Sequence, residues 1–213
     1  AAWGTKLSAT EGLTHAEIFD QVHDGKITSL FLVGENPYLS EANANHAIEA
    51  MERADFMVVQ DIFLTETAKM ADVVLPAASF AEKNGTFSNT ERRVQRVRQA
   101  IPPRGEAKPD WQIVAAIAKK MGAEGFDYST EEEIMAEISS LTPSYGGITY
   151  DRLENGGLQW PCPTQDHPGT PILHTEQFST PTTKAKLMPL VFTDSAALRK
   201  KLWRRSLRLR QAT

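Results

Sequence analysis

Three clusters of polar and special-geometry residues each follow a short apolar run, and together they could hold a nucleotide. Gly34-Glu35-Asn36-Pro37 follows residues 30–33, Gln60-Asp61 follows residues 56–59, and Pro76 follows residues 73–75. A nucleotide needs backbone amides or a helix N-terminus for its phosphates. It also needs an acceptor pair for ribose hydroxyls or guanine N–H groups. Gly34 has no Cβ, so its backbone can approach a ligand closely. Glu35 and Asn36 are acceptors at a strand end. Ser40 reads as the N-cap of the next helix, whose first amides would point back at them. Asp61 stands where an acidic residue meets ribose in dinucleotide-binding sheets. No G-x-G-x-x-G follows the first run, which disfavours an ordinary NAD site. The same residues also read as plain turn chemistry: Gly34 and Pro37 shape a turn, Asp61 caps a helix, and Gln60 is a solvated strand end.

Other chemistry-bearing residues lack a constellation. His15, His23, His46, His167 and His174 have no zinc-like spacing. Arg92, Arg93, Arg96 and Arg98 could hold phosphate, but a solvated or interdomain ion-pair role is the expectation. Cys162, between two prolines, reads as packing, with no partner base. Ser88 and Thr90 lack a triad context. No catalytic residue and no metal ligand is assigned.

The elements that would position the clusters are legible. Thr14-His15-Ala16-Glu17 is a capping box opening a helix with Ile18, Phe19 and Val22 on its apolar face and Gly25 past its end. Residues 28–33 are β-branched and aromatic without polar alternation, which suits a strand covered on both faces. A helix from Ser40 places Ala44, Ala47, Ile48, Met51 and Ala54 inward. A strand over 56–60, a short helix over 65–70 and a strand over 72–75 follow. This is a pair of βαβ crossovers, and if the strands are parallel all three clusters share one sheet edge.

The stretch 79–100 carries a turn signal at Asn84-Gly85 and an irregular alternation. Pro102-Pro103-Arg104-Gly105 is a breaker, taken as a subdomain boundary. Beyond it, Asp110 reads as the N-cap of a helix burying Trp111, Val114, Ile117, Ala118 and Met121. A second capping box at Thr130 opens a helix with Ile134, Ile138 and Leu141 inward. Residues 142–189 are rich in Pro and Gly and long for a loop. The expected fold is α/β: a Rossmann-like parallel sheet with crossover helices, followed by a mostly helical and irregular subdomain.

With 213 residues and 41% apolar content the chain can bury a core. The net charge of −4 conceals seven basic and no acidic residues over 199–210, leaving −11 on the rest. Such a body is not a nucleic-acid binder by bulk charge. A single cysteine allows no internal disulfide and no iron–sulfur site built from this chain's thiols. No apolar run approaches the ~20 residues of a membrane span, and the opening AAWGTKLSAT has no signal-peptide pattern. It lacks an initiator Met and reads as the start of an internal fragment.

The strings FLVGENP, VVQDIFLTETAKMADVVLPAASFAEKNGTFSNTERRVQRVRQA, KPDWQIVAAIAKKMG, SLTPSYGGITYDRLENGGLQWPCP and DHPGTPILH run in unbroken order between about Ala2 and Phe192. They closely resemble the catalytic (alpha) subunit of molybdenum- or tungsten-dependent formate dehydrogenases, which are bis-molybdopterin guanine dinucleotide (bis-MGD) oxidoreductases. The resemblance implies an internal piece of a larger subunit that interconverts formate and carbon dioxide; with no signal-peptide pattern visible, a cytoplasmic location is expected. It implies that residues 1–101 bind the guanosine end of one pterin dinucleotide through Gly34, Glu35, Asn36, Ser40, Gln60 and Asp61. Asp110 in the PDW string would join them, and Ala77 through its backbone. Residues 102–193 would pack toward an iron–sulfur domain carrying a 4Fe-4S cluster. Partners would be formate, the missing domains of the same subunit and electron-transfer subunits, with no nucleic acid and no membrane span. The family's catalytic residues and cluster cysteines lie upstream of this stretch. The tail from residue 194, DSAALRKKLWRRSLRLRQAT, departs from the family and reads as an amphipathic basic helix around Leu198, Leu202 and Trp203. Two rival readings remain: a homologous scaffold subunit of a respiratory complex that has lost its cofactor, and a stand-alone module using the basic tail on anionic surfaces.

Overall fold

The computed structural model describes residues 8–188, with Gly4 and Lys6. The chain divides into a unit ending at Pro171 and a second beginning at Ile172.

In the first unit, α1 (His15–His23) starts on its expected capping box. Thr14 Oγ1 accepts the Glu17 amide at 3.4 Å while Glu17 Oε2 accepts the Thr14 amide at 2.7 Å. There follow β1 (Ser29–Val33), α2 (Pro37–Ser40), α3 (Ala44–Arg53), β2 (Phe56–Asp61), α4 (Glu66–Met70) and β3 (Val73–Pro76). The sheet order is β1-β2-β3 and both pairings are parallel, with Leu30 beside Met57 and Gln60 beside Leu75. The expected α/β architecture and the shared edge are therefore present. Phe19 and Val22 of α1, Ala47 and Met51 of α3, and Ala68 of α4 form one core with Leu30, Met57 and Val59. All three helices thus lie on one sheet face.

Two expectations fail here. Ser40 does not open the long helix; it closes the single turn α2, nucleated by Pro37 at its first position, and α3 starts afresh after Asn43. β1 is not covered on both faces. Leu30 is buried but Phe31 and Val33 stay 46% and 47% exposed, because no described element packs on the second face there. The apolar run marked where a cover could go, not that one was present.

Beyond the sheet, a single 3-10 turn (Phe80–Glu82) leads to the hairpin β4 (Gly85–Ser88) and β5 (Arg93–Val97). Asn84-Gly85 opens β4, and the hairpin turn is residues 89–92, closed by Arg92 at φ 66°. Then come α5 (Asp110–Lys120), α6 (Glu131–Leu141), α7 (Tyr150–Leu153) and the two-residue strand β6 (Leu158–Gln159), which pairs antiparallel with β5. Val94 of β5 shares a second core with Met135, Ile148, Tyr150, Leu153 and Cys162.

The helix faces differ from expectation. Asp110 is the first helical residue of α5, behind Pro109 as N-cap. The buried residues of α5 are Ile113 and Ala115, whereas Val114 and Met121 are 43% and 81% exposed. In α6 the buried residue is Met135, with Ile138 and Leu141 exposed. Periodicity locates an apolar stripe, and these stripes meet little else among the described residues. Thr130 caps α6 through the Glu133 amide, but Glu133 reaches back to Ser129 rather than to Thr130. In the second unit, residues 172–188 form no helix or strand, and His174 stacks on Phe178 at 4.7 Å. The expected amphipathic tail lies outside the described residues. Among the described residues no helix is long and apolar enough to cross a membrane.

Candidate functional site

The carboxyl ends of β1, β2 and β3 bring the predicted residues to one edge, and Asp110 of α5 joins them. Gly34 ends β1 at φ 63°, a conformation that favours glycine, and its amide donates to Gln60 O at 2.8 Å. A Cβ there would meet nothing within 4 Å, so the space before it is open. Glu35 is exposed and its Oε1 accepts the Ser40 hydroxyl at 2.8 Å. Ser40 therefore orients a carboxylate instead of capping a helix.

Asn36 is committed within the protein. Its Nδ2 donates to Glu66 Oε2 at 3.0 Å, and that bond, with the Glu66 amide, holds the Glu66 carboxyl below its ordinary range. Its Oδ1 accepts the Thr67 hydroxyl at 2.7 Å and the Thr67 amide at 3.3 Å. The fully buried Thr67 hydroxyl in turn accepts the Tyr38 amide at 3.1 Å. Asn36 thus ties the loop after β1 to α4. Pro37 has no amide, and those of Leu39 and Ser40 bond Asn36 O, so the short helix offers no amide cradle for phosphate. This corrects the expected helix N-terminus at Ser40.

Gln60 is the polar centre of the edge. It is fully buried, not a solvated strand end, and Nε2 donates to Asp110 Oδ1 at 2.9 Å. A carboxylate is an acceptor only, so this bond fixes the amide orientation. Oε1 is buried and has no hydrogen-bond partner. Asp110 Oδ2 accepts from Lys83, whose side chain is 16% exposed. Partial burial raises the Asp110 pKa, but hydrogen bonds from Lys83 and Gln60 outweigh it and hold the carboxyl below its usual range. Asp61 does not cap α4, a task that falls to Thr65; its Oδ1 accepts the Phe63 amide at 3.2 Å, leaving lone pairs toward the edge. The Ala77 amide is spent on Asp61 O at 3.0 Å, and its methyl is buried.

Lys83 and Thr67 are site residues that the sequence did not single out. Lys83 lies 27 positions from the carboxylate it pairs with, beyond any local pattern. The capping box Ser79–Glu82 just before it was a readable signal that fixes its backbone.

The four arginines are occupied elsewhere. Arg92 donates to Trp160 O and to Thr170 O, Arg93 pairs with Glu91, and Arg96 and Arg98 both pair with Glu154. The ion-pair expectation fits Arg93, Arg96 and Arg98, while Arg92 acts as a backbone staple. Cys162 is free and buried. Among the described residues no group of three or more His, Cys, Asp or Glu could hold a metal ion.

Residues 3–120 match the family described as molybdopterin oxidoreductase. The chain is 49% identical over 198 residues to the F420-dependent formate dehydrogenase subunit alpha of Methanocaldococcus jannaschii, an alignment covering 92% of this chain and 29% of that protein. It is 48% identical over 198 residues, with the same coverage, to the F420-dependent formate dehydrogenase 2 subunit alpha of Methanococcus maripaludis. The chain therefore spans less than a third of the length of these relatives. Among solved structures, acetylene hydratase from Pelobacter acetylenicus superposes with a TM-score of 0.54 at 22% identity, over 68% of this chain and 20% of that one, which speaks to the fold alone. With the family match extending over more than half of its residues, this chain belongs to the molybdopterin oxidoreductase family.

Proposed function

We propose that the chain is part of the alpha subunit of a molybdenum- or tungsten-dependent formate dehydrogenase. Its sheet edge would hold the guanosine end of one molybdopterin guanine dinucleotide. The observation that carries this reading is the buried Gln60 Oε1 without a donor. Leaving a buried acceptor unpaired costs about 1–3 kcal/mol, and guanine N–H groups and ribose hydroxyls are donors that would remove that cost. The donor-poor, acceptor-rich edge fits such a group. Gln60, Asp61 and Glu35 supply acceptors, Gly34 leaves room for the phosphate side, and Asp110 with Lys83 fixes the Gln60 amide. Asn36, Ser40 and the Ala77 backbone position the loops around it.

When bound, the metal–pterin group supplies the two-electron chemistry between formate and carbon dioxide. This chain's own residues bind and orient one arm of it. A 4Fe-4S cluster, the formate-contacting groups and the electron-transfer subunits would belong to other parts of the assembly, and the stretch from residue 102 would pack toward the iron–sulfur domain. The test is Asp61→Ala in the full-length subunit. Loss of a charged hydrogen bond worth about 1.5–3 kcal/mol lowers pterin occupancy and formate turnover together. Unchanged occupancy and turnover reject the assignment. A wild-type subunit devoid of molybdenum, tungsten and pterin favours a scaffold role instead.

A further inference from the structure

A carboxamide offers a donor or an acceptor according to how it is held. Turning the Gln60 amide over exchanges its oxygen for its NH2 with almost no change of shape. Gln60 is fully buried, so its protein partner makes the choice. Nε2 donates to Asp110 Oδ1 at 2.9 Å, and Oε1 is left without a partner. The reversed amide would set Oε1 against a carboxylate oxygen, two acceptors with no proton between them. While Asp110 is ionised and in place, this point of the edge can only accept a hydrogen bond.

Asp110 does not keep that position unaided. Its side chain is 42% exposed, so a carboxylate bound to Gln60 alone is free to swing out to water. Lys83 takes the second oxygen, Oδ2. Lys83 is itself pinned. It follows the turn fixed by the Ser79–Glu82 capping box, and its ammonium lies 5.9 Å from the centroid of the Phe87 ring. Glu82 Oε1 also accepts the Arg104 amide at 3.0 Å, which ties that turn to the chain beyond the hairpin. The ammonium closes a second route as well. A protonated Asp110 could donate to Oε1 and turn the NH2 outward. Burial pushes the Asp110 carboxyl up, but hydrogen bonds from Lys83 and Gln60 hold it below its usual range. Lys83 reaches Gln60 only through Asp110.

We propose that the Lys83 ammonium sets which base this edge admits. By pinning Asp110 it keeps the Gln60 amide with its oxygen outward, so the edge takes a base that brings donors and turns away one that brings an acceptor. Guanine carries two adjacent donors, N1–H and N2–H2, on its base-pairing edge, whereas adenine places an acceptor, N1, beside its amine. Lys83 is a positioning residue that acts through Asp110 and Gln60. The inference rests on the guanosine reading of this edge and adds the group that enforces the selectivity.

The test uses the full-length subunit freed of cofactor, with guanosine and adenosine as probes in equilibrium dialysis. Wild type should bind guanosine the more tightly. Lys83→Met keeps the apolar stem and drops the charge, and the guanosine-to-adenosine affinity ratio should fall by at least ~10-fold, with guanosine weakened and adenosine not. Lys83→Arg should restore most of the ratio. In a Gln60→Leu background Lys83→Met should move the ratio by less than ~2-fold, because the group it acts through is gone. A ratio in Lys83→Met equal to that of wild type overturns the proposal. So does an equal weakening of both nucleosides, the result of an ion pair that serves stability alone, and so does a full effect in the Gln60→Leu background. A wild type without preference for guanosine overturns the guanosine reading along with this one, whereas a wild-type preference that Lys83→Met leaves untouched overturns this one alone. If Lys83→Met does not accumulate, Lys83→Gln keeps a neutral donor for Asp110 without the charge. A lowered ratio in it supports the role of the ammonium, and an unchanged ratio refutes it.

Discussion

Gln60→Leu separates a cofactor contact from a structural one, because the two roles move different observables. The Gln60 side chain is fully buried, with one amide hydrogen on Asp110 and one oxygen unpartnered. Leucine removes the unpartnered oxygen, which returns about 1–3 kcal/mol to the cofactor-free protein. It also removes the bond to Asp110, nominally about 1.5–3 kcal/mol. Asp110 keeps Lys83, and its side chain is 42% exposed, so water replaces much of that loss. The two effects nearly cancel, and the cofactor-free subunit should unfold within ~3 °C of wild type, about 1 kcal/mol. The loaded state loses a ligand hydrogen bond with no compensation, weakening retention by ~10-fold for each 1.4 kcal/mol lost. The assay pairs thermal unfolding of cofactor-free protein with pterin fluorescence and metal analysis after purification. Wild-type pterin content in the variant refutes the reasoning. A drop of more than ~10 °C without cofactor refutes it from the other side, since Oε1 would then have been satisfied by the protein.

Thr67→Val keeps the shape but strips the hydroxyl that joins Asn36 to the Tyr38 amide. It should cost about 1–3 kcal/mol and speed hydrogen exchange at Tyr38, and an unaltered Tyr38 amide would disprove that linkage. Asp110 has a folded pKa below its unfolded value. Its contribution to stability is therefore present above about pH 4 and is lost as pH falls through the folded pKa. Asp110→Asn should be less stable than wild type at pH 7, and the gap should close as pH falls through the folded pKa, as followed by acid unfolding. The Tyr150 phenol is pushed up to about 12 by burial, with Glu131 adding to it. The stability this confers is complete below the unfolded pKa of about 10 and declines as pH rises toward 12. An ultraviolet titration should find one late tyrosine that Tyr150→Phe removes. Because the Tyr150 hydroxyl is buried without a partner, the same variant should match or exceed wild-type thermal stability.

The sheet was legible because its signals are local. A capping box, β-branched runs of strand length and polar punctuation at each strand end all lie within a few residues of one another. The edge that gathers Gly34, Gln60 and Asp61 follows from parallel pairing alone. What the sequence hid was tertiary. Whether Asn36 faces a ligand or α4 depends on Thr67, 31 positions away. Whether Gln60 is solvated depends on Asp110, 50 positions away. For α5 and α6 the expected inward faces did not hold: Ile113, Ala115 and Met135 are buried while Val114, Ile138 and Leu141 are exposed, because burial depends on what stands opposite. Pro37 overrode Ser40 because a fixed φ starts a helical turn earlier than a hydroxyl can cap one.

The commitment of the four arginines bears on which ligands this edge can tell apart. Arg92 is spent on carbonyls, and Arg93, Arg96 and Arg98 face carboxylates. Lys83 is likewise neutralised by Asp110. All five are already engaged within the protein, so none is set aside as a free donor for a phosphate at the strand ends. If the edge holds the proposed guanosine, such a site would rank its ligands by base and sugar more than by how many phosphates they carry. A nucleoside and its diphosphate would differ little here, whereas exchanging one base for another would invert a donor and be felt at once.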